Sequence, residues 1–200
     1  MVIMKLLRFS TMVSKERLVQ LEKYLARTTI LFLLESAFEI IISGYLNFLK
    51  VKVATLGDVL SISVAIICFG GCVVWLPWFL ATKIVLTQEP EKLNTQEAQQ
   101  YIGPAYEGIR IRSRQARAFN LVFLLRRILY IGLAIFLSER IGIQVIGVIS
   151  LNLMSTAYLV SSRPQMDRKN YRIELFNDIT ICLVSYSLSI FTNYVTDPDF

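Results

Sequence analysis

The 200-residue sequence contains no histidine. That absence removes histidine-based catalytic triads, histidine metal sites and imidazole pH switching together. Charge is also scarce. Asp, Glu, Lys and Arg make up 18% of the chain, against roughly 25% in a soluble protein. Cysteine occurs three times, at Cys68, Cys72 and Cys182, each time inside an apolar run. Disulfides are not expected there, so the cysteines carry no message about redox compartment. There is no glycine-rich phosphate loop with its lysine, no GxSxG elbow and no Cys/His cluster. The sequence therefore gives no support for an enzyme, a cofactor or a bound metal. No internal repeat or low-complexity segment is evident.

What the sequence does have is apolar length. Apolar residues make up 54% of the chain, and they gather into runs near 20 residues. A helix needs about that many to cross ~30 Å of hydrocarbon. The expected fold is all-α, a polytopic transmembrane helix bundle of about five spans with its N-terminus in the cytosol. The spans fall at 28–49, 59–82, 119–138, 141–161 and 174–194. Residues 1–27 form a basic tail. Its Leu18, Leu21 and Leu25 have helical spacing, which fits either an amphipathic surface helix or a solvated lead-in. No apolar run before Lys15 is long enough for a cleaved signal peptide, so the first span is expected to act as its own signal. Trp75 and Trp78 mark the headgroup boundary near the end of the second span, and Pro77 is expected to bend or stop that helix there. A Gly103-Pro104 break divides the long polar loop 83–118. Arg163-Pro164 ends the fourth span, and the loop 162–173 follows.

Orientation follows from Lys and Arg. The N-terminal tail, the 83–118 loop and the 162–173 loop hold six, six and four of the 21 basic residues. Five crossings put all three on one side, with Arg126 and Arg127 close to it. Only Lys50, Lys52 and Arg140 fall on the other. Positive loops stay cytosolic. The net charge of +6 is thereby accounted for by loops beside spans, and a nucleic-acid partner is not expected.

Charges inside the spans are the candidate functional residues, because an ionised group at bilayer depth costs ~2.5–3.5 kcal/mol on insertion scales. Glu35 and Glu39 are four residues apart, so a continuous helix places them on one face. They lie roughly 12 and 18 Å beyond Arg27 at 1.5 Å per residue. One reading is a cation path; the other is pairing with arginines of neighbouring helices. Arg126 and Arg127 cannot both lie in water, since Ile128 to Ser138 spans only about 16 Å. Glu174 and Asp178, also four apart, are at matching depth, so an intramembrane ion pair is expected among these four residues. A charged-ligand or lipid-headgroup site is the alternative. Arg110, Arg112, Arg114 and Arg117 read as a positive-inside anchor or as an anionic-lipid contact, at ~1 kcal/mol for each basic residue. Asn152 and Gln144 read as interhelical hydrogen-bonding groups.

Several stretches in order resemble one family. They are LESAFEIIISGYLN (Leu34 to Asn47), YEGIRIRSR (Tyr106 to Arg114), FNLVFLLRRILY (Phe119 to Tyr130), Ser-Arg-Pro at 162–164 and RIELFND (Arg172 to Asp178). Together, over about residues 25 to 195, the chain resembles ciliate TRP-like multi-span membrane proteins. More distantly it is similar to the fungal TRP-like family, which is linked to calcium handling and flavin transport. The family often carries this region after cadherin-like extracellular repeats. Its pattern also implies a further apolar stretch beyond the TDPDF at 196–200. The expectation is a shortened member or a fragment of a longer protein.

Two function classes remain open on the sequence. One is a TRP-like cation channel or transporter component. The other is a non-catalytic membrane anchor or structural subunit of a larger assembly. The expected partners are the lipid bilayer, including anionic lipids, and other membrane subunits or further copies of the chain. The expected location is integral to a plasma, ciliary or internal membrane, and the basic N-terminus is also compatible with the mitochondrial inner membrane.

Overall fold

The computed structural model describes residues 2–49, 55–87 and 90–191, with the side chains of 2–14, 16, 90 and 191 left aside. Among the described residues every named element is a helix, with no strand. One isolated bridge joins Ile109 to Gln165. Lys50 and Lys52 lie outside the described residues.

The first span is not one straight helix. Helix α1 (Val2–Glu35) and helix α2 (Ala37–Leu49) meet at Ser36 with a bend of 72°. The sequence offers no proline or glycine at the break. The third helix, α3, runs from Leu56 to Val85. Thr55 starts it with a reciprocal cap: its Oγ1 accepts from the Asp58 N–H at 3.3 Å, and Asp58 Oδ2 accepts from the Thr55 N–H at 2.8 Å. Such a box satisfies donors that a helix start otherwise leaves orphaned. Of the bend or stop expected at Pro77, the stop does not occur, since the helix continues to Val85. A wider π-helical turn at Gly71–Trp75 precedes the proline, in which the Leu76 N–H reaches back five residues to the Gly71 carbonyl. A local π adjustment of this kind re-satisfies backbone groups around an intramembrane proline.

The polar connection holds a short helix α4 (Gln96–Ile102) and a single turn α5 (Arg114–Arg117). Then come α6 (Phe119–Phe136), α7 (Ile141–Ser162) and α8 (Arg168–Leu188). Arg163, in the left-handed region at φ 40°, closes α7 ahead of Pro164. Asp167 caps α8 by accepting from the Lys169 N–H at 3.0 Å.

Packing runs α3 on α2, α2 on α6, α6 on α7 and α7 on α8, with α3 also touching α6. The core lies among α1, α2, α3 and α6, with Leu93, Ala105 and Tyr106 of the polar connection. Cys72, Leu76, Leu80 and Ile84 form an i, i+4 stripe on α3, facing Ile30, Ala37, Ile41, Leu124 and Ile131. Gly44 admits α3 closely: a Cβ there would lie 3.0 Å from the Phe69 ring. Outward faces are apolar as well. Phe136 is 86% exposed and Ile67 72%, an arrangement that lipid tails solvate and water does not.

Among the described residues three helices are long and apolar enough to cross a membrane: α3, α6 and α7. The bent α1–α2 pair makes a fourth if it counts as one span. The helix covering the expected fifth span, α8, is not among them. It begins at Arg168, and Arg172, Glu174 and Asp178 fall within its 21 residues. Residues 192–194 of that expected span lie outside the described residues.

Candidate functional site

Two adjacent arginines on α6 diverge, because consecutive residues on a helix point about 100° apart. Arg126 turns toward α7 and α8. Its Nη1 donates to Asp178 Oδ1 at 2.6 Å and to Ser155 Oγ at 2.6 Å. Ser155 donates in turn to Asp178 Oδ2 at 3.1 Å. The side chains of Arg126 and Asp178 are only 11% and 7% exposed. The triangle thus locks three helices with one charge of each sign. Deeper in the same interface, Tyr130 donates to Asn152 Oδ1, and Asn152 Nδ2 donates to Ser185 Oγ at 2.7 Å. These bonds join α6, α7 and α8 a second time.

Arg127 turns the other way, onto the break in the first span. Its Nη1 donates at 3.1 Å to the carbonyls of both Leu34 and Glu35. Those carbonyls belong to the last turn of α1, where a helix end leaves acceptors unfilled and a cation is favoured. The Phe123 ring lies 4.2 Å beneath the guanidinium carbon, a favourable cation–π distance. Arg127 is therefore a cap for the bend; it forms no ion pair within 4.0 Å among the described residues, although the Glu39 carboxylate lies near enough to act on its charge.

The bend falls between Glu35 and Glu39, so the shared helix face expected of them is lost. Both are exposed. Only Glu39 lines the groove between α2 and α3, a space of about 570 Å³. Ser36 precedes Glu39 at the break, Ser43 and Asn47 follow it along α2, and Ser61 lines the groove from α3. The groove is mostly apolar, with these polar groups set along it from the break toward the end of α2.

Glu174 is half-buried. It lines a small cavity with Arg126 and Asp178, but it forms no ion pair within 4.0 Å among the described residues.

Of the four loop arginines, Arg110, Arg112 and Arg114 are exposed. Arg117 departs from the expected lipid-facing set. It is 6% exposed and turns inward, donating through Nη2 to the Val85 carbonyl at 3.3 Å, at the C-terminal end of α3. Burial first, and then the Arg114 charge, hold its pKa below the usual guanidinium value. The loop beneath is fixed by Tyr106, whose buried hydroxyl donates to the Leu93 carbonyl at 2.7 Å. It is also fixed by Asn120, which donates to the Ala105 carbonyl at 2.8 Å. Lys23 and Arg27 of α1 reach the same loop, at Gln100 (2.7 Å) and Glu107 (3.1 Å).

Sequence reasoning placed Arg126 and Asp178 together by matching depth. It did not find Ser155 or Tyr130, which as single hydroxyl residues in apolar runs carry no signal of their own. No group of three or more Cys, Asp or Glu residues among the described ones is arranged to hold a metal ion. No protein-family model, characterised protein or solved structure matches the chain.

Proposed function

We propose that the chain is an integral membrane protein and a component of a TRP-like cation channel or transporter. The carrying observation is the α2–α3 groove, where Glu39 stands with Ser36, Ser43, Asn47 and Ser61 beside a broken helix. Interrupted helices at membrane depth are tolerated where they line a cavity, and carboxylates there make a cation's stay tolerable. The groove is open along its side and Glu39 is exposed. The path is therefore completed by a second copy of the chain. The order of motifs from Leu34 to Asp178 supports the TRP-like assignment.

In this reading the chain crosses about five times, with the bent α1–α2 pair as one span and α8 as the last. The N-terminus and the basic loops face the cytosol. Hydrogen bonds from Arg110 N–H to the Pro164 carbonyl and from Met166 N–H to the Gly108 carbonyl, both 2.8 Å, support this by tying the two basic loops together at one end. The host membrane is a plasma, ciliary or internal one, and the basic tail also suits the mitochondrial inner membrane.

The second reading is a structural subunit of a larger membrane assembly. The observation in its favour is that Arg126, Arg127 and Asp178 are all engaged in helix packing. Cation flux into vesicles reconstituted with the whole chain separates the two. Glu39→Gln keeps side-chain size while removing the charge. It should lower flux several-fold with the fold intact, and Glu35→Gln should lower it less. Folded wild-type protein that passes no cation at any pH leaves only the structural reading.

A further inference from the structure

Glu174 stands between two cavities. The outer one, about 260 Å³, is at the basic-loop end of the bundle and is lined by Glu107, Asn120, Gln165, Asn170 and Glu174. The inner one, about 10 Å³, is lined by Arg126, Ser155, Tyr158, Glu174 and Asp178. By volume the outer cavity holds several waters. The inner one is close to the ~10–15 Å³ that a single water requires, and its polar lining supplies the two to four partners a buried water needs.

The hydrogen-bonding groups around these spaces do not balance internally. Gln165 Oε1 is buried with no donor, and Arg126 Nε is buried with no acceptor. Asp178 is held by Arg126, and Glu107 is engaged by Arg27. Among these carboxylates Glu174 is left without an ion pair within 4.0 Å, and it lines both cavities. The groups facing it are Arg126 from α6, Tyr158 from α7, Glu107 from the loop before α5, and Asp178 one turn further along α8.

We propose that Glu174 is a proton-exchanging carboxylate at the inner end of a hydrated inlet. Its ligand is the proton. A hydronium ion in the outer cavity gives a proton to a Glu174 carboxylate oxygen, leaving water behind and a neutral carboxylic acid. The new O–H donates to the single water of the inner cavity, which in turn bonds the Arg126–Ser155–Asp178 triangle. The Arg126 charge beyond that water opposes entry of metal cations. A proton is passed by exchange along hydrogen bonds and does not need that space. This inlet lies between α6, α7 and α8 and does not depend on a cation path along Glu39.

Labelling with dicyclohexylcarbodiimide, which modifies protonated carboxyl groups in apolar surroundings, tests this on the whole chain in liposomes. The modified residue is located by mass spectrometry across a pH series. The expected result is an adduct on Glu174 that declines about tenfold per pH unit above its midpoint. Glu174→Gln should abolish that adduct and Glu174→Asp should retain it. Helical circular dichroism should match wild type in every sample compared. Folded wild-type protein with Glu174 unmodified at every pH overturns the proposal. So does labelling of Glu174 that ignores pH.

Discussion

Arg126 and Asp178 lie 2.6 Å apart across the interface of α6 and α8, both nearly enclosed. Asp178→Asn removes one charge and strands the other where water cannot replace it. Breaking a buried pair on one side typically costs ~3–5 kcal/mol. The loss should appear as an earlier unfolding transition in detergent. Arg126→Gln combined with Asp178→Asn should recover part of it, because Ser155 and the paired amides still satisfy one another. Strict additivity of the two single changes would show that the pair contributes no coupling.

Arg126 and Arg127 were expected to share Glu174 and Asp178 as partners, but neighbours on a helix point about 100° apart and only Arg126 reaches Asp178. The depth of both arginines was legible from the short apolar remainder before Ser138. The bend at Ser36 was not. Residues 28–49 read as one continuous apolar run, and the group that caps the break is 92 residues away in sequence. The helices α3, α6 and α7 were legible because apolar length alone defines them. The extension of α3 past Pro77 was not, because a π turn leaves no compositional mark. The loop arginines were legible as a charge cluster. The burial of Arg117 depends on where the carbonyl end of α3 arrives.

Arg127 supports a prediction about the bend itself. Two charge-assisted hydrogen bonds from one guanidinium hold the carbonyls of Leu34 and Glu35. Each such bond contributes roughly 1.5–3 kcal/mol. Arg127→Leu should therefore destabilise the chain and speed amide hydrogen exchange around Ala37, at the first turn of α2. Arg127→Lys should recover only part of the loss, since a point charge cannot match a planar fork. Unchanged exchange at residues 33–40 in Arg127→Leu would mean that the bend is fixed by packing alone.

Tyr106 gives a pH dependence whose direction is fixed by burial. Its hydroxyl is desolvated, and burial raises its pKa above the ordinary value of ~10. The folded state therefore holds this proton more tightly than the unfolded state does. The contribution is complete below pH ~10 and is lost as pH rises through the higher folded value. Tyr106→Phe should cost about 0.5–1.5 kcal/mol at neutral pH, the worth of the bond to the Leu93 carbonyl. It should also flatten the alkaline limb of the stability profile. A limb equally steep in wild type and variant would assign alkaline unfolding to other groups.

The placement of the loops can be tested with single cysteines and a membrane-impermeant thiol reagent. Gly57 follows the cap of α3, and an added Cβ there meets only Thr55 Oγ1, at 3.6 Å. A cysteine therefore fits without disturbing the helix start. Met166 is 64% exposed, and Arg112 is exposed in the other basic loop. These two belong to segments joined by the Ile109–Gln165 bridge, so they must label from the same side whatever the orientation. Positive loops stay cytosolic, so Met166→Cys and Arg112→Cys should react only with reagent on the cytosolic side. Gly57→Cys lies at the far end of α3, a helix about 45 Å long at 1.5 Å per residue, more than the hydrocarbon thickness. It should react only from the opposite side. The native Cys68, Cys72 and Cys182 lie within helices, and a parent with all three replaced by alanine removes any background from them. Labelling of Gly57→Cys and Arg112→Cys from the same side would mean that α3 does not cross, and would remove the five-span arrangement.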